Sequence, residues 1–487
     1  MSPRSLFHKG LCVLLCGASS ACLVGPNYHR PSAPISPAFK ESAGWAPAQP
    51  SDAANREDWW TAFGDPTLDA LEAKVAVSNQ TLIAAEAAYR EATALVRIDR
   101  AALFPTVSAN GAVSYSGVGA SSGNGVTVTG GSGVVTTTSG RGASYQVGLG
   151  GSWQPDLWGA VRRTIEGARA SAQAAAGTVA SARLSAQMEL ALDYVQLRQL
   201  DDEIRIYQAT SDAYRRSLTI TQNKYAVGVA AKSDVLTSRS QLATTDATAV
   251  DLIQQRATFE HAIAILTGEP PASLNLPSAP WNLTLPAIPA SVPSTLLERR
   301  PDIATAERNA AAANAQIGVQ VAAYYPTLSL TGSGDFAASE LGQLFNASSF
   351  FWSVGASAAE TLLDFGARRG RVAQARAVYD QSVATYRQTV LTALGQVEDD
   401  LAAQRVLGRE ETLRRSAAAD ANADEIIARN EYNAGQVDYT TVVVAEATAL
   451  SARITELQVE ATRLATAIDL IAALGGGWNQ SELPAHP

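Results

Sequence analysis

Tyr225-Ala226-Val227-Gly228-Val229-Ala230-Ala231-Lys232-Ser233-Asp234-Val235-Leu236 is the stretch that decides the fold. It ends one very long helical pattern and starts another. The same move recurs at Tyr432-Asn433-Ala434-Gly435-Gln436-Val437-Asp438-Tyr439, 207 residues later (432 − 225 and 435 − 228). Each glycine falls where a helix end needs a residue that takes positive φ without steric cost. Ser233 and Asp234, and Asp438 in the second copy, are placed to accept hydrogen bonds from the free N–H groups of the returning helix. Two long helical hairpins are therefore expected in one chain.

Upstream of the first tip, the helical pattern runs from Gly159 to Lys224 without a proline. Those 66 residues (224 − 159 + 1) span ~100 Å at 1.5 Å each. Its second half carries a 3,4-spaced seam, Leu197, Leu200, Ile204, Tyr207, Ser211, Tyr214, Leu218, Thr221 and Tyr225, which suits a coiled-coil partner. Downstream, the returning helix covers about Ser233 to Leu266 and ends at Thr267-Gly268.

Further upstream lies Trp59-Trp60-Thr61-Ala62-Phe63-Gly64-Asp65-Pro66-Thr67-Leu68, with Asp65 as N-cap and Pro66 at the first helical position. A helix is expected from there to about Leu103, stopping because Pro105 disfavours helix in the residue before it. The period then changes to two. Val107, Ala109, Gly111, Val113 and Tyr115 alternate with small or polar residues, as do Tyr145, Val147, Leu149, Gly151 and Trp153. Each stretch is about the ten residues that a membrane-spanning strand needs. A Gly/Ser/Thr-rich loop, Gly117 to Gly142, joins them and reads as exposed.

The pattern then repeats. Residues 59–268 form a first structural repeat, 269–293 a proline-rich linker, 294–477 a second repeat and 478–487 a tail. In the second copy, Tyr325-Pro326-Thr327 matches Phe104-Pro105-Thr106, and Asp364-Phe365-Gly366 matches Leu157-Trp158-Gly159. Strand alternation returns at Leu328, Leu330 and Gly332 and at Trp352, Val354, Ala356 and Ala358. Each half reads helix, two strands, long helix, turn, helix.

Composition excludes much. The net charge of −9 argues against nucleic acid as a partner, since phosphate binding needs a basic surface. The four histidines, His8, His29, His261 and His486, have no metal-ligand spacing, and no GxSxG, Walker loop or HExxH is present. No catalytic residue, metal site or resident cofactor is assigned, and the chain is not read as an enzyme. All three cysteines, Cys12, Cys16 and Cys22, lie at the start, which leaves no disulfide framework for the rest.

That start has its own meaning. Arg4 and Lys9 precede the short apolar run Leu11–Leu15, and small residues Gly17 to Ala21 lead to Cys22. Residues 1–21 read as a signal peptide, and the small residues ending at a cysteine resemble a lipobox with Ser19 in place of the usual leucine. Cys22 is thus the expected site of lipidation, and its lipid the expected covalent group. Residues 22–58 read as a lipidated tether, and Leu23, where lipoproteins kept at the inner membrane carry aspartate, favours the outer membrane. Loss of Arg4 and Lys9 with the signal peptide takes the charge from −9 to −11. No apolar run is long enough for a membrane-spanning helix.

Four short strands cannot close a barrel, and an open sheet in lipid leaves two edges of unsatisfied backbone groups. The smallest membrane barrels use about eight strands. Closure therefore demands several chains in a ring, with the helices continuing it as a second tube. The fold class expected is mainly α with membrane β, a shared β-barrel continued by a long α-helical barrel and built on an internal two-fold repeat.

Trp59-Trp60-x-x-Phe63-Gly64-Asp65-Pro66-x-Leu68, Asp156-Leu157-Trp158-Gly159, Arg299-Arg300-Pro301-Asp302-Ile303 and Tyr325-Pro326-Thr327, taken in order, resemble the TolC/OprM-like outer membrane factors of tripartite efflux systems. The start, Cys22-Leu23-Val24-Gly25-Pro26-Asn27-Tyr28-His29-Arg30-Pro31, resembles the NodT-type lipoprotein branch. The resemblance implies a homotrimer, hence 3 × 4 = 12 strands, in the outer membrane with its helical tube in the periplasm. It implies a periplasmic adaptor and a proton-driven RND pump in the inner membrane as partners. On that reading the chain is a passive exit duct for small toxic compounds. Tyr225, Gly228, Ser233, Asp234 and Leu236, with Tyr432, Gly435 and Asp438, form the adaptor-docking tips. The second tip departs from its relatives, because Val444 stands where they carry a gate aspartate. Asp438, Val442, Val444 and Glu446 are the gate candidates, with packing between helices as the competing role for Val442 to Val444. The alternatives are a duct for metal ions or protein secretion, or a coiled-coil structural lipoprotein without a pore.

Overall fold

The structure is a computed structural model and describes residues 23–41, 58–116, 142–286 and 299–485. The signal peptide, Cys22, the tether at 42–57, the Gly/Ser/Thr loop at 117–141 and the opening of the second repeat at 294–298 lie outside the described residues. The chain divides into two compact units. The first comprises Met1–His29, Thr93–Ala170 and Ala311–Asp380, and the second comprises Arg30–Ala92, Ser171–Ala310 and Gln381–Pro487.

In chain order the elements are α1 (Pro66–Ser78), α2 (Gln80–Ala101), β1 (Thr106–Ser116), β2 (Gly142–Trp153), α3 (Ala160–Ala226) and α4 (Lys232–Leu266). The second half supplies α5 (Pro301–Ala322), β3 (Thr327–Ala338), β4 (Phe350–Ala359), α6 (Ala367–Asn433) and α7 (Tyr439–Ala473). α6 and α7 start and end 207 residues after α3 and α4 (367 − 160, 433 − 226, 439 − 232, 473 − 266). α5 and β3 start 221 residues after α2 and β1 (301 − 80, 327 − 106). The difference of 14 (221 − 207) falls between the two strands of each half, where the first copy has the longer loop.

One expected element is two. The helix predicted from Pro66 to about Leu103 breaks at Asn79, which adopts an extended ψ of 120°. The Asn79 side chain supplies what the break costs. Its Oδ1 accepts from the Leu82 N–H at 3.0 Å, and its Nδ2 donates to the Leu266 carbonyl at 2.9 Å. Asparagine competes with the helix backbone in this way without proline or glycine to announce it.

The first unit contains a four-stranded antiparallel sheet of order β1-β2-β3-β4. Its register puts the apolar sets on one face, as in Ala109↔Leu149, Leu149↔Gly334 and Gly334↔Trp352. The other face carries Ser108, Gly150, Ser333 and Ser353 in one row. Among the described residues β1 and β4 are edges without a partner strand, and β4 is exposed along its whole length. The described start of the expected tether is pinned to the first unit. Val24 N–H donates to the Trp158 carbonyl, and buried Arg163 donates to the Val24 and Gly25 carbonyls and to Asn27 Oδ1.

The second unit has its main core around Trp59, Trp60, Phe63, Leu68, Leu190, Tyr194, Ile263, Leu464 and Ile468. Asp65 caps α1 as predicted, accepting from the Thr67 and Leu68 N–H groups, and also accepts from Tyr194 Oη at 2.7 Å. The predicted linker is stapled over residues 270–286. Leu276 and Leu283 enter the core, Arg256 donates to the Leu276 carbonyl, and the Thr284 N–H donates to the Phe63 carbonyl. Residues 30–41 follow the helices, with Phe39 buried against Val397 and Leu401 and Arg405 paired with Glu41.

Candidate functional site

The two tips are built alike. In the first, the Gly228 N–H donates to the Tyr225 carbonyl at 2.9 Å and the Val229 N–H to the Lys224 carbonyl at 2.8 Å. In the second, the Gly435 N–H donates to Tyr432 at 3.1 Å and the Gln436 N–H to Glu431 at 2.9 Å. This pair of bonds is the Schellman closure of a helix end, and it needs the left-handed residue that both glycines provide at φ +75°. Val227, Val229 and Leu236 are exposed around the first turn, and Tyr225 is 47% exposed.

The caps of the returning helices differ from the expectation. Ala231, not Ser233 or Asp234, occupies the N-cap of α4. Asp234 Oδ2 accepts from the Ala231 N–H at 3.2 Å, the half of a capping box that an acid at the third helical position can make alone. Ser233 Oγ is 3.3 Å from Asp234 Oδ1. Asp438 holds the N-cap position of α7 without a side-chain cap bond. Its carboxylate is therefore left on the exposed side of the tip.

The matched tyrosines are not equivalent. Tyr225 points outward, whereas Tyr432 sits under Lys224, whose Nζ lies 3.7 Å above its ring centroid. Tyr432 packs on Tyr439 at 5.3 Å, and the buried Tyr439 hydroxyl lies 3.1 Å from Ser217 Oγ and donates to Ser238 Oγ at 3.0 Å. Lys224, Tyr439, Ser217 and Ser238 thus pin the two hairpins together near their tips. Sequence reasoning did not select them. The available signal was Tyr439, an aromatic at the start of α7 where α4 has Lys232.

The gate candidates separate by burial. Val442 is buried, consistent with packing between helices, while Val444 is 59% exposed and Asp438 is exposed. Glu446 is buried and does not project toward solvent. Its Oε1 accepts from Arg429 Nη2 at 3.3 Å, and burial pushes its carboxyl above the usual range against the opposing effect of Arg429. Of the two acidic candidates, only Asp438 is presented at the surface of the chain.

The family model described as outer membrane efflux protein matches residues 73–269 and 292–476, so each copy of the repeat carries one match. The chain belongs to the outer membrane efflux protein family. Within this family it is 29% identical over 481 residues to the probable efflux pump outer membrane protein TtgC of Pseudomonas putida, covering 98% of this chain and 96% of the relative. It is 30% identical over 464 residues to the pyoverdine export outer membrane protein OpmQ of Pseudomonas aeruginosa, covering 94% and 96%. Among solved structures, the outer-membrane channel OprN superposes with a TM-score of 0.83 at 30% identity, covering 94% of this chain and 100% of that one. This outer membrane efflux protein thus shares its fold with OprN along almost the full length of both chains.

Proposed function

We propose that this outer membrane efflux protein is the exit duct of a tripartite system that carries small toxic compounds from the periplasm to the exterior. The observation that carries the reading is the four-stranded sheet with one apolar face and two unpaired edges, repeated in sequence with a helical hairpin after each strand pair. An open sheet in lipid is too costly to persist, so the edges must be closed by further copies. Three copies supply 3 × 4 = 12 strands, enough for a pore. A structural lipoprotein without a pore would need no such sheet.

The finer parts of the reading follow from the same features. Cys22 carries the lipid of a NodT-type lipoprotein, since a basic and apolar leader ends in the small residues Gly17 to Ala21 directly before it. The tips at Gly228 and Gly435 meet a periplasmic adaptor, which couples the duct to an RND pump in the inner membrane. Relatives named for efflux and for pyoverdine export support small molecules as cargo. The test is expression with the cognate adaptor and pump in a Gram-negative host stripped of its own channel. Export of a fluorescent pump substrate should depend on this chain. Normal outer-membrane levels with no export would overturn the assignment.

A further inference from the structure

The two halves of the repeat meet at a corner inside one chain. Trp158 stands between β2 and α3, and Tyr325 stands between α5 and β3. Their rings stack at 4.8 Å and 21°, and the Trp158 indole N–H donates to the Pro326 carbonyl at 2.7 Å. The repeat supplies a second set of the same positions. Trp158 displaced by 207 is Phe365, and Tyr325-Pro326 displaced by 221 is Phe104-Pro105.

These second positions are open. Phe365 is 94% exposed and Phe104 is 68% exposed. Phe365 also has φ +50°, the one left-handed non-glycine among the described residues. Such a backbone is strained for a residue with a Cβ; Asp364 holds the turn by accepting from the Gly366 and Arg368 N–H groups, while the Phe365 ring itself is left in the open. The elements beside it repeat the pattern. A Cβ built at Gly167 of α3 would meet the Ala312 carbonyl and the Ala315 side chain of α5 at 3.6 Å, whereas Leu95 and Ile98 on α2 are exposed apolar residues.

We propose that Phe365 stacks on Phe104 of the partner subunit, so that a second copy of this chain completes between chains the corner that Trp158 and Tyr325 complete within one. The inference rests on the ring reading above and adds its seam. The register follows too. Paired residues of β2 and β3 have numbers that add to 483, as in Trp153↔Leu330 and Tyr145↔Ala338. Carrying the two displacements across (483 + 207 − 221) gives 469 for β4 against the next β1. Ala356 therefore lies opposite Val113 of the partner subunit, and Val354 opposite Tyr115 of the partner subunit. Both pairs put apolar residues on the apolar face.

Full-length protein carrying both Phe104→Cys and Phe365→Cys, treated in detergent with a short bifunctional thiol reagent, tests the corner. A second double variant, Val113→Cys with Ala356→Cys, tests the register independently. The expected result is conversion to covalent trimers on a denaturing gel for both pairs and none for any single variant. Val113→Cys with Val354→Cys, two residues out of register, should crosslink far less. Particle mass is measured alongside. A trimeric mass with neither pair crosslinked would overturn the seam and leave the ring. A monomeric mass would overturn the ring and the seam with it.

Discussion

Gly228 and Gly435 fix the tips through backbone conformation alone. A Cβ built at either would meet nothing within 4 Å, so the obstacle to substitution is the +75° φ and not a clash. Left-handed backbone costs a residue with a Cβ ~1–2 kcal/mol, less for asparagine. Gly228→Val or Gly435→Val should therefore weaken crosslinking to the adaptor with trimer levels unchanged, while asparagine at the same sites retains most of it. Undiminished crosslinking by the valine variants would separate the turn from docking. Both glycines were legible in the sequence because positive φ selects a residue type. The role of Tyr439 was not, because an aromatic at a helix start does not name its partners until Ser217 and Ser238 are brought to its hydroxyl.

Glu72 is a residue of another kind. It is fully buried in α1 with neither carboxyl oxygen hydrogen-bonded, and burial raises its pKa from 4.5 to about 9. The folded state therefore binds a proton that the unfolded state releases. The stability this provides is complete below about pH 4.5 and is lost as pH rises toward about 9. Glu72→Gln keeps the neutral form at every pH. The variant and the wild type should melt together at about pH 5 and diverge at about pH 8, with the variant higher. Thermal midpoints at the two pH values measure it, and parallel curves would contradict the buried protonated carboxyl.

At the scale of elements, the sheet shows how register depends on small residues. Gly148 of β2 lies opposite Asp335 of β3, and a Cβ there would come within 1.8 Å of Asp335 Oδ1 and 3.0 Å of its Cβ. Gly148→Val should lower the yield of assembled particles in the outer membrane severalfold, and Asp335→Gly in the same chain should restore it. Failure of rescue would mean that the glycine serves something other than this contact. Strands and long helices were legible because their periods, two and 3,4, are written in apolar residues. The ends of the hairpin helices followed from the 207-residue repeat. The break at Asn79 and the stapling of 23–41 and 270–286 were not legible. They depend on hydrogen bonds from a few side chains, Asn79, Arg163 and Arg256, to backbone carbonyls 187, 138 and 20 positions away.

For the whole molecule, the lipid proposed on Cys22 and the pore should separate as functions. The sheet supplies its own apolar face, so Cys22→Ser should reduce membrane retention on washing far more than it reduces export. Complete loss of export with normal trimer levels would show that the lipid is part of the duct. Everything in this architecture turns on several copies of the chain closing one hollow tube. Negative-stain imaging of the detergent-purified particle, with its mass, tests it most directly. The expected result is the mass of three chains and a three-fold hollow tube whose helical part extends ~100 Å, the length of a 67-residue helix. A thin solid rod of one or two chains would contradict it.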